Sequence, residues 1–172
     1  MERKIVTVFG SSLPKSGEKE YETAYELGKL LAINNFNVCS GGFQGIMDAV
    51  SKGATELGGK AIGITVDLFG AVPSKFLTTE IKCNTLFERI DKLITSGDAF
   101  IVLSGGTGTL VELSLVWEMM NKKIIDTKPI ICYGNMWKNI VREMEERTKL
   151  EGRTTGLVKC ATSIEDCIKF LS

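Results

Sequence analysis

The sequence predicts a doubly wound α/β fold, a parallel sheet of about seven strands with helices on both faces. Three observations carry this expectation. Short β-branched runs alternate with longer amphipathic stretches from one end of the chain to the other. Glycine-rich turns follow three of the strand runs. The size and composition also suit one core: 172 residues, 44% apolar and 24% charged, as expected of a single globular domain spanning residues 1–172.

The elements can be justified in order. Lys4 to Phe9 is a compact apolar run and the first strand. In Lys19 to Asn34, Tyr21, Ala24, Leu27 and Leu31 recur at helical spacing, with Glu22, Glu26 and Lys29 outside that stripe. Asn37 to Ser40 reads as a strand, Gly45 to Leu57 as a helix and Lys60 to Thr65 as a strand. Val66 to Thr79, with Gly70 and Pro73, is the one long irregular stretch, a lid or merely a connection. Strand Glu80 to Cys83, helix Leu86 to Thr95, strand Ala99 to Leu103 and helix Thr109 to Lys122 follow. Strand Pro129 to Cys132, helix Met136 to Lys149, strand Leu157 to Cys160 and helix Ile164 to Leu171 complete the chain. This is a Rossmann-like succession, in which ligands bind beyond the carboxyl ends of the strands.

Composition removes several functions. Lysine plus arginine equals aspartate plus glutamate at 21 each, so no long-range basic field draws the chain to nucleic acid or to an anionic membrane. Histidine is absent, which excludes Ser-His-Asp and Cys-His mechanisms and zinc sites built on imidazole. The five cysteines are scattered, mostly in apolar runs, and read as buried free thiols in a reducing compartment. The opening residues lack the pattern of a signal peptide, and no run reaches membrane-spanning length, so a cytoplasmic location is expected.

The sharpest local signal is Ser104-Gly105-Gly106-Thr107-Gly108-Thr109-Leu110-Val111-Glu112, where an apolar strand gives way to a helix. Glycines there let a ligand approach the backbone, and Thr109 is expected to cap a helix whose free N–H groups suit phosphate. The run lacks the Lys-Ser/Thr ending of a Walker A loop and the spacing of the dinucleotide fingerprint. A tight turn needing glycine only for geometry is the bland alternative. Ser40-Gly41-Gly42-Phe43-Gln44-Gly45-Ile46-Met47 follows the second strand, and Gly10-Ser11-Ser12 the first. Each alone suits a turn; three such loops converge on one edge of the sheet.

Residues 104–112 resemble the Pro-Gly-Gly-x-Gly-Thr-x-x-Glu signature of the LOG (Lonely Guy) family, long mislabelled as possible lysine decarboxylases. Ser40 to Met47 is similar to that family's Gly-Gly-Gly-x-x-Gly-Leu-Met run, and Gly10 to Ser12 to its first nucleotide loop. Leu86-Phe87-Glu88-Arg89-Ile90 stands in the place of its Met-x-x-Arg-Lys motif. The resemblance runs from about Lys4 to Leu150. Ser104 replaces the signature proline, Ile90 a lysine, Ser40 a glycine, and Asp48 the glycine after Met47. No motif marks a cofactor-bound lysine, so no cofactor is expected, and with histidine absent and the cysteines lacking ligand spacing no metal is expected.

The resemblance implies a hydrolase that cleaves the N-glycosidic bond of a nucleoside 5'-monophosphate, of AMP or cytokinin riboside type, releasing base and ribose 5-phosphate. It makes Arg89 and Glu112 the catalytic pair. Gly10, Ser11, Ser12, Gly41, Gly42, Gly45, Met47 and Ser104, Gly105, Gly106, Thr107, Gly108 and Thr109 become the substrate-binding residues. It also implies a homodimer or larger homo-oligomer with the site near the subunit contact. Chemically, a carboxylate at Glu112 would stabilise the oxocarbenium-like transition state and orient or deprotonate water. Without the resemblance, Thr109-x-x-Glu112 is equally a capping box, and Arg89 by itself reads as an exposed helix arginine beside Glu88 or Asp91. The related alternative is a carrier or sensor of a phosphorylated ligand, since molybdenum cofactor carrier proteins resemble this family.

Overall fold

The computed structural model describes residues 3–68 and 70–171. Its order is β1 (Lys4–Phe9), α1 (Lys19–Ile33), β2 (Phe36–Ser40), α2 (Ile46–Glu56), β3 (Ala61–Val66), β4 (Thr79–Cys83) and α3 (Leu86–Ser96). Then come β5 (Ala99–Val102), α4 (Thr107–Asn121), β6 (Ile130–Tyr133), α5 (Asn135–Leu150), β7 (Val158–Ala161) and α6 (Ile164–Lys169). All seven expected strands and all six expected helices are present, with no end moved by more than two residues.

The strands form one sheet in the order β4-β3-β2-β1-β5-β6-β7, every pair parallel. The chain winds outward from β1 to β4, returns through α3, and winds outward again from β5 on the other side. The order therefore reverses between β1 and β5, where the loops beyond the two strands part and leave a crevice.

Because side chains alternate across a strand, β1 and β5 feed two cores. Phe9, Phe100 and Val102 pack with Ile90 and Leu93 of α3, Leu113, Val116 and Trp117 of α4, and Trp137 of α5. Val6, Val8, Ile101 and Leu103 pack on the opposite face with Leu27 and Leu31 of α1 and Ala49 and Val50 of α2. Val6, Val8, Leu27 and Ile101 are fully buried, and each such side chain contributes roughly 1.5–3 kcal/mol on leaving water. Trp117 of α4 belongs to the first of these two cores, at 7% exposure.

Parallel neighbours need a crossover, and between β3 and β4 that crossover is residues 67–78, whose described residues form no helix. Phe69 lies outside the described residues. The return ends at Thr78, whose N–H donates to the Ala61 carbonyl at 2.8 Å and whose Oγ1 accepts from the Ala61 N–H at 3.0 Å. Farther up, the Ser74 N–H donates to the Gly42 carbonyl at 2.8 Å, and Gln44 Nε2 donates to the Val72 carbonyl at 2.9 Å. This stretch is thus a connection fastened to the second glycine loop.

Candidate active site

The three glycine-rich loops meet. The Ser11 N–H donates to the Ser104 carbonyl at 2.9 Å, and the Ile46 N–H donates to the Ser11 carbonyl at 2.9 Å, so the backbone of Ser11 joins the loops after β1, β2 and β5. Gly45 makes the second contact possible. It adopts φ +67°, and a β-carbon there would run into the backbone of Ser11 and Ser12.

The helix after β5 starts earlier than the sequence suggests. α4 begins at Thr107, its N-cap is Gly106, and no side chain caps it. The expectation that Thr109 caps this helix is therefore wrong. Thr109 is the third helical residue, and its Oγ1 packs over the Cα of Gly105, where a β-carbon would clash. A Thr109–Glu112 capping box is not formed, because that pairing requires Thr109 to precede the helix. Two consequences favour an anion. The N–H groups of the first turn have no side-chain cap, and β-carbons at Gly106 and Gly108 would meet nothing within 4 Å. A phosphate could approach that backbone directly.

Glu112 consequently sits in the second turn, about 7.5 Å along the axis from Thr107 at ~1.5 Å per residue. It shares a helix face with Gly108 and Thr109. These residues line a cleft of about 550 Å³ together with Gly106, Thr107, Gly10, Ser11 and Ser12. Met47 and Arg89 border the same cleft, whose remaining walls include Leu13, Phe43, Ala71, Leu86, Ile90 and Val111. Its lining thus combines backbone and hydroxyl groups with apolar side chains.

Arg89 is 8% exposed, so the reading of an exposed helix arginine is overturned. Thr85 caps α3 by accepting from the Glu88 N–H at 3.1 Å, which starts the helix so that Arg89 turns inward. Its Nε donates to the Ile64 carbonyl at 2.8 Å and its Nη2 to the Gly41 carbonyl at 3.2 Å, with the guanidinium 5.5 Å from the Phe43 ring centroid. Gly41 is required sterically, since a β-carbon would fall on Arg89 Nη2. Among the described residues no ion pair within 4.0 Å joins Arg89 to Glu112. The two act on each other across the cleft instead.

The electrostatics follow. Glu112 is half-buried as a residue, but its carboxyl is the deeply surrounded part, and burial pushes it up to about 7 while the Arg89 charge pulls the other way. Burial also lowers the Arg89 guanidinium from its ordinary range, opposed chiefly by Glu112. A carboxyl near neutrality in a cleft suits proton transfer or the stabilisation of transient positive charge.

Not every candidate faces this cleft. Gly41, Gly42 and Gly45 lie buried beneath it, shaping Arg89 and the loop contacts. Ser104 and Gly105 border a neighbouring recess of about 380 Å³ with Tyr133, Gly134 and Asn135. Phe43, Leu13 and Ala71 complete the cleft without having been singled out. Phe43 carried a signal, an aromatic among glycines, whereas Ala71 carried none. Among the described residues no three His, Cys, Asp or Glu side chains are grouped to hold a metal.

A family model described as the SLOG cluster4 family matches residues 3–161. The chain is 30% identical over 159 residues to a cytokinin riboside 5'-monophosphate phosphoribohydrolase of Rhodococcoides fascians, covering 88% of this chain and 79% of that one. Its fold is similar to the molybdenum cofactor binding protein of Rippkaea orientalis, with TM-score 0.78, 25% identity, and 99% and 96% of the two chains covered. The molybdenum cofactor carrier protein of Chlamydomonas reinhardtii is also similar, with TM-score 0.75, 26% identity, and 97% and 94% covered.

Proposed function

Because the chain belongs to the SLOG cluster4 family, within the wider SLOG/LOG family, we propose that it hydrolyses the N-glycosidic bond of a nucleoside 5'-monophosphate, of AMP or cytokinin riboside monophosphate type. One observation carries the reading: Glu112 and Arg89 border the same cleft as the uncapped N-terminus of α4. The 5'-phosphate is held by the N–H groups of Gly106 to Thr109, with Ser11 and Ser12 beside it. The base lies toward the apolar walls.

As the bond between C1' and the base nitrogen breaks, its electron pair leaves with the base and positive charge builds on the ribose. The Glu112 carboxylate stabilises that charge and takes a proton from the attacking water, whose oxygen bonds to C1'. The base picks up a proton, and ribose 5-phosphate remains. With its carboxyl near 7, Glu112 serves as a base close to neutral pH. Arg89 keeps a fixed cation beside the anionic ligand and the carboxylate. The chemistry requires neither a metal nor a cofactor.

The surroundings of the mouth support a homodimer or larger homo-oligomer. Leu13, Leu86 and Val111 of the cleft lining are 80%, 39% and 48% exposed, an apolar rim of the kind that subunit contacts cover. Among the described residues no helix is long and apolar enough to cross a membrane. Together with the cysteine pattern this fits a cytoplasmic setting, with a small phosphorylated molecule as partner and neither nucleic acid nor membrane.

A carrier of a phosphorylated ligand is the second reading, favoured by the likeness of nearly the whole chain to the two molybdenum cofactor proteins. Incubating the purified protein with a panel of nucleoside 5'-monophosphates and measuring free base and ribose 5-phosphate tests both. Release of both products supports the hydrolase. Binding of AMP without product from any monophosphate replaces it with the carrier.

A further inference from the structure

Asp48 follows Met47 of the cleft wall and is 9% exposed. Its Oδ2 accepts from the Tyr21 hydroxyl at 2.6 Å and its Oδ1 from Ser74 Oγ at 2.7 Å. Among the described residues it has no ion-pair partner within 4.0 Å. A buried carboxylate is costly unless its hydrogen bonds are made, and here two hydroxyls make them. One of these belongs to α1; the other belongs to the crossover between β3 and β4.

The described residues of that crossover belong to no helix or strand, so its position depends on such contacts. Ser74 is the centre of its attachment: its N–H reaches the Gly42 carbonyl, its Oγ reaches Asp48, and the same Oγ accepts from the Phe76 N–H at 3.2 Å. Three residues before Ser74, Ala71 lines the cleft that Arg89 and Glu112 border. A glycine at position 48, as in the run that this segment resembles, would offer Ser74 no acceptor.

We propose that Asp48 is a positioning residue for the ligand cleft: by gripping Ser74 it holds residues 71–74 against the second glycine loop and so sets the wall that Ala71 presents to the ligand. This rests on the cleft being the nucleoside monophosphate site. Asp48 itself does not line the cleft and acts through Ser74. Burial and the hydrogen bond to Asp48 both raise the Tyr21 phenol above its ordinary range, so Tyr21 remains a donor and anchors the carboxylate from the other side.

The test uses the full chain with Asp48→Gly, Ser74→Ala, the double variant and Asp48→Asn. AMP affinity is read by calorimetry, amide exchange over residues 70–78 by mass spectrometry, and folding by thermal unfolding. Asp48→Gly and Ser74→Ala should each weaken AMP by about tenfold, as small displacements of a site wall do, and speed exchange at 70–78 by about tenfold. The double variant should bind no more weakly than Asp48→Gly, because both substitutions break the same bond. Asp48→Asn, which retains an acceptor oxygen, should recover most of the affinity. A merely structural carboxylate would lower thermal stability and leave AMP binding within twofold of wild type below the transition; that result in both single variants overturns the proposal, as do fully additive losses. If Asp48→Gly does not fold, Ser74→Ala decides, since it leaves the Tyr21–Asp48 bond in place. If wild type binds no AMP, the phosphate-site reading fails by itself. Exchange then decides whether Asp48 holds the crossover: unchanged rates at 70–78 in Ser74→Ala overturn it, and faster rates uphold it.

Discussion

The guanidinium of Arg89 occupies the space that a β-carbon on residue 41 would need. Glycine at this position is therefore part of the cation's socket, together with the carbonyls of Gly41 and Ile64 that receive its N–H groups. Gly41→Ala should push the arginine out of place. We expect a loss of about 1–3 kcal/mol in stability from overpacking, measurable by urea unfolding, together with weaker AMP binding. Wild-type affinity in a folded Gly41→Ala protein would show that the placement of Arg89 is irrelevant to the ligand.

Arg89→Lys should not restore what Arg89→Ala loses. A lysine carries the charge but lacks the planar fork that reaches two carbonyls and stacks on Phe43. Both variants should weaken AMP by about tenfold or more, as loss of a charge-assisted contact does, with turnover falling in parallel. A lysine variant equal to wild type would reduce the role of Arg89 to charge alone.

Glu112→Gln separates holding from cutting. The amide keeps the size and an acceptor but offers no negative charge to a developing cation. Release of ribose 5-phosphate should fall by about 100-fold or more while AMP affinity stays within about threefold. Turnover at the wild-type rate would remove Glu112 from the chemistry.

The pH dependence of Glu112 has a defined sign. Its folded carboxyl lies near 7, above the ordinary 4.5 of an unfolded chain. Its contribution to stability is thus complete below about 4.5, and it is lost as pH rises through about 7. Between pH 5 and 8 the unfolding midpoint of wild type should fall more than that of Glu112→Gln. The rate at low substrate should rise across the same interval, because the ionised form acts as the base. Parallel stability curves for the two proteins would contradict a raised carboxyl.

Chelators should leave both AMP binding and turnover unchanged. In the proposed reaction Glu112, Arg89 and the α4 N-terminus do the work, and the chain has no histidine. Loss of turnover with a chelator, restored by a divalent ion, would reveal a carboxylate metal site.

The framework was readable from the chain because parallel strands buried on both sides are unbroken apolar runs, as in Ala99 to Val102 and Ile130 to Cys132. The convergence of loops at Gly10, Gly41 and Ser104 was readable as well, because carboxyl ends of parallel strands share one edge. The start of α4 was not. Thr109 has the chemistry of a cap, but Gly106 occupies that position because backbone geometry outweighed side-chain preference. Arg89 could not be told from a surface arginine, since its partners are carbonyls 25 and 48 positions away. The Asp48–Ser74 bond spans 26 positions and follows no local pattern; only the folded crossover brings the two together.

The stitch between Ser11 and Ser104 is made by main chain alone, an N–H at 11 and a carbonyl at 104. Proline lacks the N–H but keeps the carbonyl, so the frame of this site would accept either residue at 104 without changing its wiring. Departures from a signature sequence are therefore unequal. The serine at 104 is interchangeable as far as that seam is concerned, whereas the aspartate at 48 brings hydrogen bonds that a glycine cannot make. Divergence among proteins of this architecture has free latitude where backbone does the joining, and is tightly constrained where a side chain does.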